Sequence, residues 1–424
     1  MNARELALSV LQKAKAAEQY SNIAVDTALT RCSLSSADKG LFTALVYGVI
    51  ERRLTLDACI EAFSDRPLES LDPQTRTILQ LGIYQLAFLD RIPDHAAVNE
   101  TVALAPRRTR GFINAVLRAF LRAEKRIPYP DPEADPIRYL SVRYSFLPEI
   151  CELFMSVYGF ERTESLLAAF CRQAPLTLRV NTLRTTRQTL MDRLSEQGYD
   201  PKSCAESPDG ILLSAGSPTA MEGFDAGEFF VQDEASQLCV RALDVQSGMT
   251  VIDTCACPGS KSFGIAIEMK NDGRVICCDL HANKLSLIRE GADRLRISVI
   301  TCQARDARTE APDWEGIADR VLCDVPCSGF GVFAKKPELR YKNPKMSEGL
   351  PQIQLDILRT SSRLVKVGGR LVYSTCTLLP CENGEVVSAF LKEHPSFALL
   401  RERTLYPDQD HTDGFYFAVL ERNA

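Results

Sequence analysis

The sequence predicts an α/β protein with a helical N-terminal domain, and three successive patterns along the chain support this prediction. Apolar residues recur near the 3.6-residue period over the first 126 residues. A region of mixed strand and helix candidates follows. From residue 249 onwards, short β-branched runs alternate with helical stretches. Such alternation indicates βαβ crossovers and a mostly parallel sheet covered on both faces.

Residues 1–127 are expected to form an all-helical domain. Runs such as "ELALSVLQKA" and "TRTILQLGIYQLAFL" carry the helical period, and Asp38 and either Ser70 or Asp72 are expected helix caps. The segment "RIPYPDPEADP" (126–136) then contains four prolines in eleven residues, more than a helix tolerates. We therefore place the first domain boundary there.

Residues 137–248 are expected to form a small α+β subdomain. A helical pair covers 147–172, and a helix at 186–197 lies between the first two of three strand candidates. These strands are "LTLRVN" (176–181), "GILLS" (210–214) and "EFFVQ" (228–232). A small sheet with helices is compatible with an RNA-binding and linking role.

Residues 249–424 carry the alternating pattern. Strands within "MTVIDTCA", "GRVICCDL", "SVITCQ", "DRVLCDVP" and "GRLVYSTC" are separated by helical stretches at 262–270, 282–296 and 347–366. In the tail, two strands flank a loop that contains Asp413 and Gly414, as in an antiparallel hairpin. A hairpin at the end of a parallel sheet is the layout of the Rossmann-like class I methyltransferases.

The composition narrows the cellular setting and the kinds of site. No apolar run approaches the roughly 20 residues that span a bilayer, and the N-terminus reads as an amphipathic helix, so we expect a cytoplasmic protein. The 15 cysteines are odd in number and form no C-x-x-C pair, which favours free thiols over disulfides or zinc. We expect no metal. The net charge of −5 does not by itself indicate a nucleic-acid partner.

Carboxylates follow four of the predicted parallel strands, where ligands of open α/β sheets bind. They are Asp253, Asp279, Asp306 and Asp324. The turn "DTCACPGSKS" after the first strand lacks the G-x-G-x-x-G spacing, which argues against a dinucleotide. An acid after the second strand can accept both hydroxyls of a ribose. The pattern favours an adenosine ligand without phosphates, such as S-adenosylmethionine.

Two cysteines, Cys327 in "DVPCSG" and Cys376 in "YSTCT", lie at the ligand-binding ends of the last two parallel strands. A redox pair remains open, but thiols beside a methyl donor suggest cytosine chemistry. C5 of cytosine is too weak a nucleophile to attack a methyl sulfonium until a thiolate adds at C6. An acid near N3 of the ring would stabilise the charge that develops, a role that suits Asp324.

Several segments resemble the RNA 5-methylcytosine methyltransferases of the RsmB/Sun type. These are "DTCACPGSKS", "DVPCSGFGVFAKKPELRYK", "YSTCTLLPCENGEVV", "PLTLRVN", "FFVQDEASQL" and "DGFYFAVLER". The segments "DKGLFTALVYGVIERR", "AVNETVALA" and "GFINAVLR" resemble the NusB-like RNA-binding domain of the RsmB branch. The resemblance spans essentially the whole chain. It implies three domains, at 1–127, 137–248 and 249–424.

The resemblance also implies roles for particular residues. Cys376 would be the nucleophile and Cys327 would serve product release, with Asp324 and Lys261 beside them. S-adenosylmethionine would be held by a loop and three strand-end acids, namely Cys255, Ala256, Cys257, Pro258, Gly259, Ser260, Lys261, Asp279, Asp306 and Asp324. The substrate in the RsmB branch is a cytosine of small-subunit ribosomal RNA. We expect a monomer.

The chain departs from the family pattern at Cys257, Ser260, Lys284 and Phe330. Ser260 would cost backbone freedom if its position needed a positive φ, and Cys257 and Phe330 could change how tightly the substrates pack. The basic run "FAKKPELRYK" (333–342) is expected at the rim of the site, holding RNA phosphates.

Other interpretations stay open from the sequence. Pro326–Cys327 also resembles the nucleophile turn of DNA cytosine-5 methyltransferases, which would exchange the roles of the two thiols. Transfer RNA is an alternative substrate. A catalytically inactive RNA-binding assembly factor would lack methyl transfer, and a thiol oxidoreductase would form a reducible bond between Cys327 and Cys376.

Overall fold

A computed structural model of the chain describes residues 1–17 and 21–423. It divides into two compact units. The first comprises Met1–Cys171 and Phe333–Pro344, and the second comprises Arg172–Val332 and Lys345–Ala424. No helix in the described ranges is both long and apolar enough to cross a membrane.

The first unit is helical. Its core is built from the inward faces of the helices, with Phe42, Ile78 and Leu117 fully buried. The helices are α1 Ala3–Ala17, α2 Ser21–Arg31, α3 Ser36–Glu51, α4 Arg53–Phe63, α5 Pro73–Phe88, α6 Asp94–Ala103, α7 Arg110–Arg122, α8 Pro136–Tyr144, α9 Pro148–Tyr158 and α10 Phe160–Phe170.

Two of the expected helix caps can be compared with the structure. Asp72 caps α5 as predicted, since its side chain accepts a bond from the backbone N–H of Thr75. The prediction that Asp38 caps α3 is wrong. The cap is Ser35, whose hydroxyl accepts from the N–H of Asp38, because a cap must lie before the first free N–H groups and Asp38 is already in the first turn.

The segment 333–344 packs among the helices of the first unit. Phe333 is fully buried, with its ring centroid 4.9 Å from Phe146, 5.0 Å from Phe170 and 6.2 Å from Phe154. The contacts with Phe146 and Phe170 are edge-to-face, and contacts of this kind add to the stability gained by burial. The chain therefore enters this aromatic cluster six residues after Cys327.

The basic run 333–342 is expected to hold RNA phosphates, and for Arg340 this expectation is wrong. The side chain of Arg340 is buried, and its guanidinium donates at 2.8 Å to the carbonyl oxygens of both Glu51 and Phe170. These two residues end α3 and α10. The arginine satisfies helix carbonyls and not phosphates, while Lys335 and Lys336 of the same run are exposed.

The second unit begins with a small antiparallel sheet in the order β2-β3-β1-β4. Leu190 and Leu194 of the helix α11 pack in the core beneath it. Sequence patterning missed β2, which is two exposed residues long. The elements are β1 Leu176–Val180, α11 Arg187–Glu196, β2 Lys202–Ser203, β3 Gly210–Leu213 and β4 Phe229–Val231.

The rest of the second unit is a seven-stranded sheet in the order β10-β11-β9-β8-β5-β6-β7. Strands β5 to β9 pair in parallel, whereas β11 is antiparallel to both β9 and β10, which confirms the predicted α/β fold with its terminal hairpin. The elements are α12 Glu234–Ala242, β5 Thr250–Asp253, α13 Ser260–Glu268, β6 Arg274–Asp279, α14 Leu285–Leu295, β7 Ile300–Ala304, β8 Ala318–Asp324, α15 Leu350–Ser362, β9 Val365–Thr375, α16 Gly384–Glu393, β10 Phe397–Leu405 and β11 Phe415–Arg422.

This topology creates one chemically distinct edge. The chain winds outward from β5 through β6 to β7, then returns to β8 and β9 on the other side of β5. The order reverses between β5 and β8, and in open α/β sheets the crevice at such a point, beyond the carboxyl ends of the strands, binds ligands.

Candidate active site

Three of the four expected acids end a strand at this edge. Asp253 ends β5, Asp279 ends β6 and Asp324 ends β8, while Asp306 lies two residues beyond the end of β7. Cys376 directly follows β9. Because β5 to β9 run in the same direction, all five side chains are brought to one end of the sheet.

The two cysteine thiols are in contact. The Sγ atoms of Cys327 and Cys376 are 3.2 Å apart, and the backbone N–H of Cys376 donates to the sulfur of Cys327 at 3.3 Å. Both residues are half-buried. The hydrogen bond with Cys376, and then burial, raise the pKa of Cys327 well above the ordinary range. Cys327 therefore remains protonated at neutral pH and can donate its proton towards the sulfur of Cys376.

An ion pair between Lys261 and Asp324 lies near the two thiols, at the ends of β8 and β9. Lys261 Nζ donates to Asp324 at 2.7 Å, and the hydroxyl of Ser374 donates to the other carboxylate oxygen at 2.8 Å. Burial lowers the pKa of Lys261, but the charge of Asp324, the hydrogen bond to it and the nearby thiols of Cys239 and Cys376 together outweigh burial, and the pKa is raised. Lys261 is also 5.3 Å from the ring centroid of Phe415. The lysine is held as a cation, with its charge shared by the carboxylate and the ring face.

Sequence reasoning missed Ser374, which holds one oxygen of Asp324. It belongs to the same "YSTCT" stretch as Cys376, but a serine inside a strand gives no sign of its partner. The strand register supplies it, because Ser374 pairs directly with Asp324 across β8 and β9.

The expected donor-binding residues 255–261 cover the loop between β5 and α13 and the first two residues of α13. Gly259 has a φ of +112° and precedes α13, whereas Ser260 is the first residue of the helix and is not among the positive-φ residues. Ser260 therefore does not carry the strain that its replacement of glycine suggested. The peptide bond between Cys257 and Pro258 is cis, and the N–H of Ala256 donates to the carbonyl of Cys278 at 2.7 Å.

Cys257 lies beside Asp279. Burial, reinforced by the negative charge of Asp279, raises the pKa of Cys257 to about 12, so it is a neutral thiol. Asp279 is half-buried and accepts a bond from the N–H of His281 at 2.9 Å. Two further residues depart from the family pattern: Lys284 is exposed, and Phe330 is fully buried.

Asp253 and Asp306 differ in their surroundings. Asp253 is fully buried, accepts from the hydroxyl of Ser262 at 2.6 Å, and has a pKa raised to about 7 by burial, against the effect of that hydrogen bond. Asp306 is half-buried and forms an ion pair with Arg308 at 2.7 Å, and the hydrogen bonds from Arg308 lower its pKa. The structure thus brings Asp324 to the lysine and leaves Asp306 with a local arginine.

Backbone contacts fix the loop that carries Cys327. The N–H of Gly331 donates to the carbonyl of Cys376 at 3.0 Å, and the N–H of Gly414 donates to the carbonyl of Gly331 at 2.8 Å. Neither glycine has room for a side chain, because an added Cβ at Gly331 would lie 2.0 Å from the carbonyl oxygen of Gly414, and one at Gly414 would lie 2.8 Å from the Cα of Gly331. The Cys327 loop, the Cys376 loop and the terminal hairpin are therefore joined. Among residues 1–17 and 21–423, no three His, Cys, Asp or Glu side chains are grouped as metal ligands would be.

Comparison with known proteins identifies the family. Residues 240–421 match the family model for 16S rRNA methyltransferase RsmB/F, residues 1–122 match that of the NusB family, and residues 150–220 match the ferredoxin-like domain of RsmF/B-like methyltransferases. A probable ribosomal RNA small subunit methyltransferase B of Bacillus subtilis is 39% identical over 93% of this chain and 89% of its own length.

Solved structures agree with the fold. The crystal structure of PH0851 has a TM-score of 0.82 at 24% identity, covering 100% of this chain and 99% of that one. NSun6 from Pyrococcus horikoshii, crystallised with SFG, has a TM-score of 0.60 at 21% identity, covering 65% of this chain and 98% of that one. Because the curated relative from Bacillus subtilis is 39% identical over 93% of this chain, the chain belongs to the RsmB/F family of ribosomal RNA methyltransferases.

Proposed function

We propose that this protein forms 5-methylcytosine in 16S ribosomal RNA, with S-adenosylmethionine as methyl donor and Cys376 as nucleophile. The observation that carries the proposal is the contact between two thiols beside a lysine–carboxylate pair at the strand ends. A relative named for methylation of small-subunit ribosomal RNA supports the RNA substrate. Transfer RNA is the competing substrate.

The residues present fit S-adenosylmethionine. Within the segment 255–261, an added Cβ at Gly259 would lie 2.7 Å from the Phe263 ring, so the backbone there leaves no room for a side chain. The half-buried carboxylate of Asp279 offers oxygens of the kind that ribose hydroxyls bind, and a relative in fold was crystallised with an analogue of this donor. When bound, S-adenosylmethionine would supply an electrophilic methyl group on a sulfonium.

The side chains divide the cytosine chemistry between them. The thiolate of Cys376 would form a bond to C6 and push the ring electrons towards C5. C5 would then bond to the methyl carbon as the methyl–sulfur bond breaks and its electron pair stays on sulfur. Asp324, held by Lys261 and Ser374, would lie near N3 and the exocyclic amine and stabilise the ring during attack. Loss of the C5 proton to a base then returns electrons to the ring and breaks the bond to sulfur. Cys327 serves this release.

The domains are proposed to share the binding of RNA. Residues 1–127 and 137–248 would contact the RNA outside the target base, and residues 249–424 would carry the chemistry. The base must leave its stack to reach Cys376, as enzymes that act on bases require. We propose that the protein works as a monomer in the cytoplasm.

The test is a denaturing gel of wild type, Cys327→Ala and Cys376→Ala after incubation with S-adenosylmethionine and unmodified 16S ribosomal RNA or transfer RNA. A protein–RNA adduct that accumulates only in Cys327→Ala, with the ribosomal RNA, is the expected result. An adduct only in Cys376→Ala would exchange the two roles. Absence of both adduct and methyl transfer with every RNA would overturn the proposal in favour of an assembly factor.

A further inference from the structure

A buried carboxylate outside the proposed chemistry lies between the two cysteine loops. Glu382 is 1% exposed and stands six residues after Cys376. Its Oε2 accepts from the backbone N–H of Ser328 at 2.9 Å and from the side-chain amide of Gln354 at 2.8 Å. Its Oε1 is buried and has no hydrogen-bond partner among the described residues. Both donors are neutral groups.

The contacts of Glu382 surround Cys327. Ser328 is the residue after this cysteine, and the amide of Gln354 that binds Glu382 also donates to the carbonyl of Pro326, the residue before it, at 3.0 Å. The hydroxyl of Tyr373 holds the backbone carbonyl of Glu382 at 2.6 Å. One carboxylate and one amide therefore fix the backbone on both sides of the thiol.

A neutral side chain could form the same cross-link without the cost of burying a carboxylate. An ionised carboxylate with an unsatisfied oxygen in a buried position is unfavourable, and such costs are retained chiefly at functional sites. The negative charge itself therefore needs an explanation, and the nearby pair of thiols offers one.

We propose that Glu382 is a positioning residue for Cys327: it fixes this loop through Ser328 and Gln354, and its charge keeps the proton of the thiol pair on Cys327. This inference rests on the proposed division of roles, in which Cys376 attacks and Cys327 releases. A negative charge beside Cys327 disfavours a second anion there, which leaves Cys376 as the sulfur that ionises.

The electrostatic surroundings agree with this assignment. The titratable groups facing Cys327 are Cys376 and Tyr373 from β9 and its end, and Glu382 from the turn before α16. After the hydrogen bond with Cys376, burial and the charge of Cys376, Glu382 contributes to the raised pKa of Cys327.

The experiment compares Glu382→Gln with Glu385→Gln, a matched change at an exposed glutamate three residues away. Glutamine keeps the size of the side chain and an acceptor oxygen for Ser328 but removes the charge. Two measurements follow. One is the rate at which the RNA adduct resolves in a single turnover, and the other is the pH midpoint for alkylation of Cys327 by iodoacetamide in a Cys376→Ala background, read by mass spectrometry.

Glu382→Gln should slow adduct resolution by at least about tenfold, because the charge that keeps the proton on Cys327 is lost, and should lower the alkylation midpoint of Cys327. Glu385→Gln should change neither. Gln354→Leu removes the bridge and keeps the charge, so it should slow resolution without lowering the midpoint, and it serves if Glu382→Gln fails to fold. Resolution at the wild-type rate, or an unchanged midpoint, in Glu382→Gln would overturn the inference.

These experiments distinguish failure of the proposed function from failure of the inference about Glu382. If Cys327→Ala traps the adduct while Glu382→Gln resolves it normally, the roles of the thiols stand and only the inference fails. If Cys327→Ala traps no adduct, the proposed roles fail, and the alkylation midpoint still decides whether Glu382 governs the proton on Cys327.

Discussion

Replacing Gly331 by alanine should separate the two cysteine loops. The φ of Gly331 is not positive, so alanine can adopt its backbone conformation, and the effect comes from space alone. An added Cβ would lie 2.0 Å from the carbonyl oxygen of Gly414 and 2.8 Å from that of Cys376. Non-bonded heavy atoms are most favourable at about 3.5–4.0 Å. Since both obstacles are backbone atoms, the loops themselves must move by more than about 1 Å.

The expected loss of stability in Gly331→Ala can be worked out from these contacts. Overpacking typically costs about 1–3 kcal/mol, and each backbone hydrogen bond lost costs about 0.5–1.5 kcal/mol. Gly331 makes two such bonds, to Cys376 and from Gly414. We expect a loss of about 2–6 kcal/mol in the free energy of unfolding. A shift of about 1 Å between reacting groups should lower methyl transfer by about a hundredfold.

The assays are urea unfolding followed by circular dichroism and single-turnover methyl transfer to 16S ribosomal RNA. Gly349→Ala is the matched control, because no atom lies within 4 Å of an added Cβ there and its φ is −82°. This control should have wild-type stability and activity. Wild-type behaviour of Gly331→Ala in both assays would refute the view that close backbone contact sets the distance between the cysteine loops.

Two further perturbations test the charges of the site. The pKa of Asp253 is about 7 in the folded protein and about 3.9 in an unfolded chain. The folded state therefore binds this proton more tightly, so this contribution to stability is complete below about pH 4 and is lost as the pH rises through about 7, by up to about 4 kcal/mol. Asp253→Asn should remove this loss in urea unfolding from pH 4 to 8, and an unchanged pH dependence would contradict the assignment. Lys261→Met should lower methyl transfer and cost about 1–3 kcal/mol in unfolding, less than a fully buried pair because Asp324 is 27% exposed. Lys261→Arg should recover part of the methyl transfer and part of the stability. Full activity of Lys261→Met would show that the ion pair does not position Asp324.

The sequence was sufficient for those parts of the site that depend on local pattern and on the direction of the strands. Once the βαβ alternation is recognised, the parallel-strand rule brings Asp253, Asp279, Asp324 and Cys376 to one edge without any knowledge of packing. The same rule could not distinguish Asp324, which meets Lys261, from Asp306, which binds a local arginine. That difference depends on side-chain direction, which sequence spacing does not specify.

The supports of the cysteine loops were not predictable because their partners are distant in sequence. Gln354 reaches Glu382 and Pro326 across 28 residues in either direction, and only the packing of α15 on the sheet makes these contacts. Gly331 meets Gly414 for the same reason. In the sequence, Glu382 is one more acid after a Pro-Cys turn, and nothing there indicates that it is buried.

Arg340 shows why a basic run is weak evidence for phosphate binding. Its guanidinium has several donors in a fixed plane, which suits phosphate oxygens and the carbonyls at helix ends equally well. Here the carbonyls that end α3 and α10 converge within its reach, and the ring of Phe146 lies 5.0 Å from the guanidinium carbon. The helix dipoles favour a cation at these ends. The segment that follows Cys327 is therefore anchored in the helical unit by Phe333 and Arg340, while Lys335 and Lys336 of the same run are exposed.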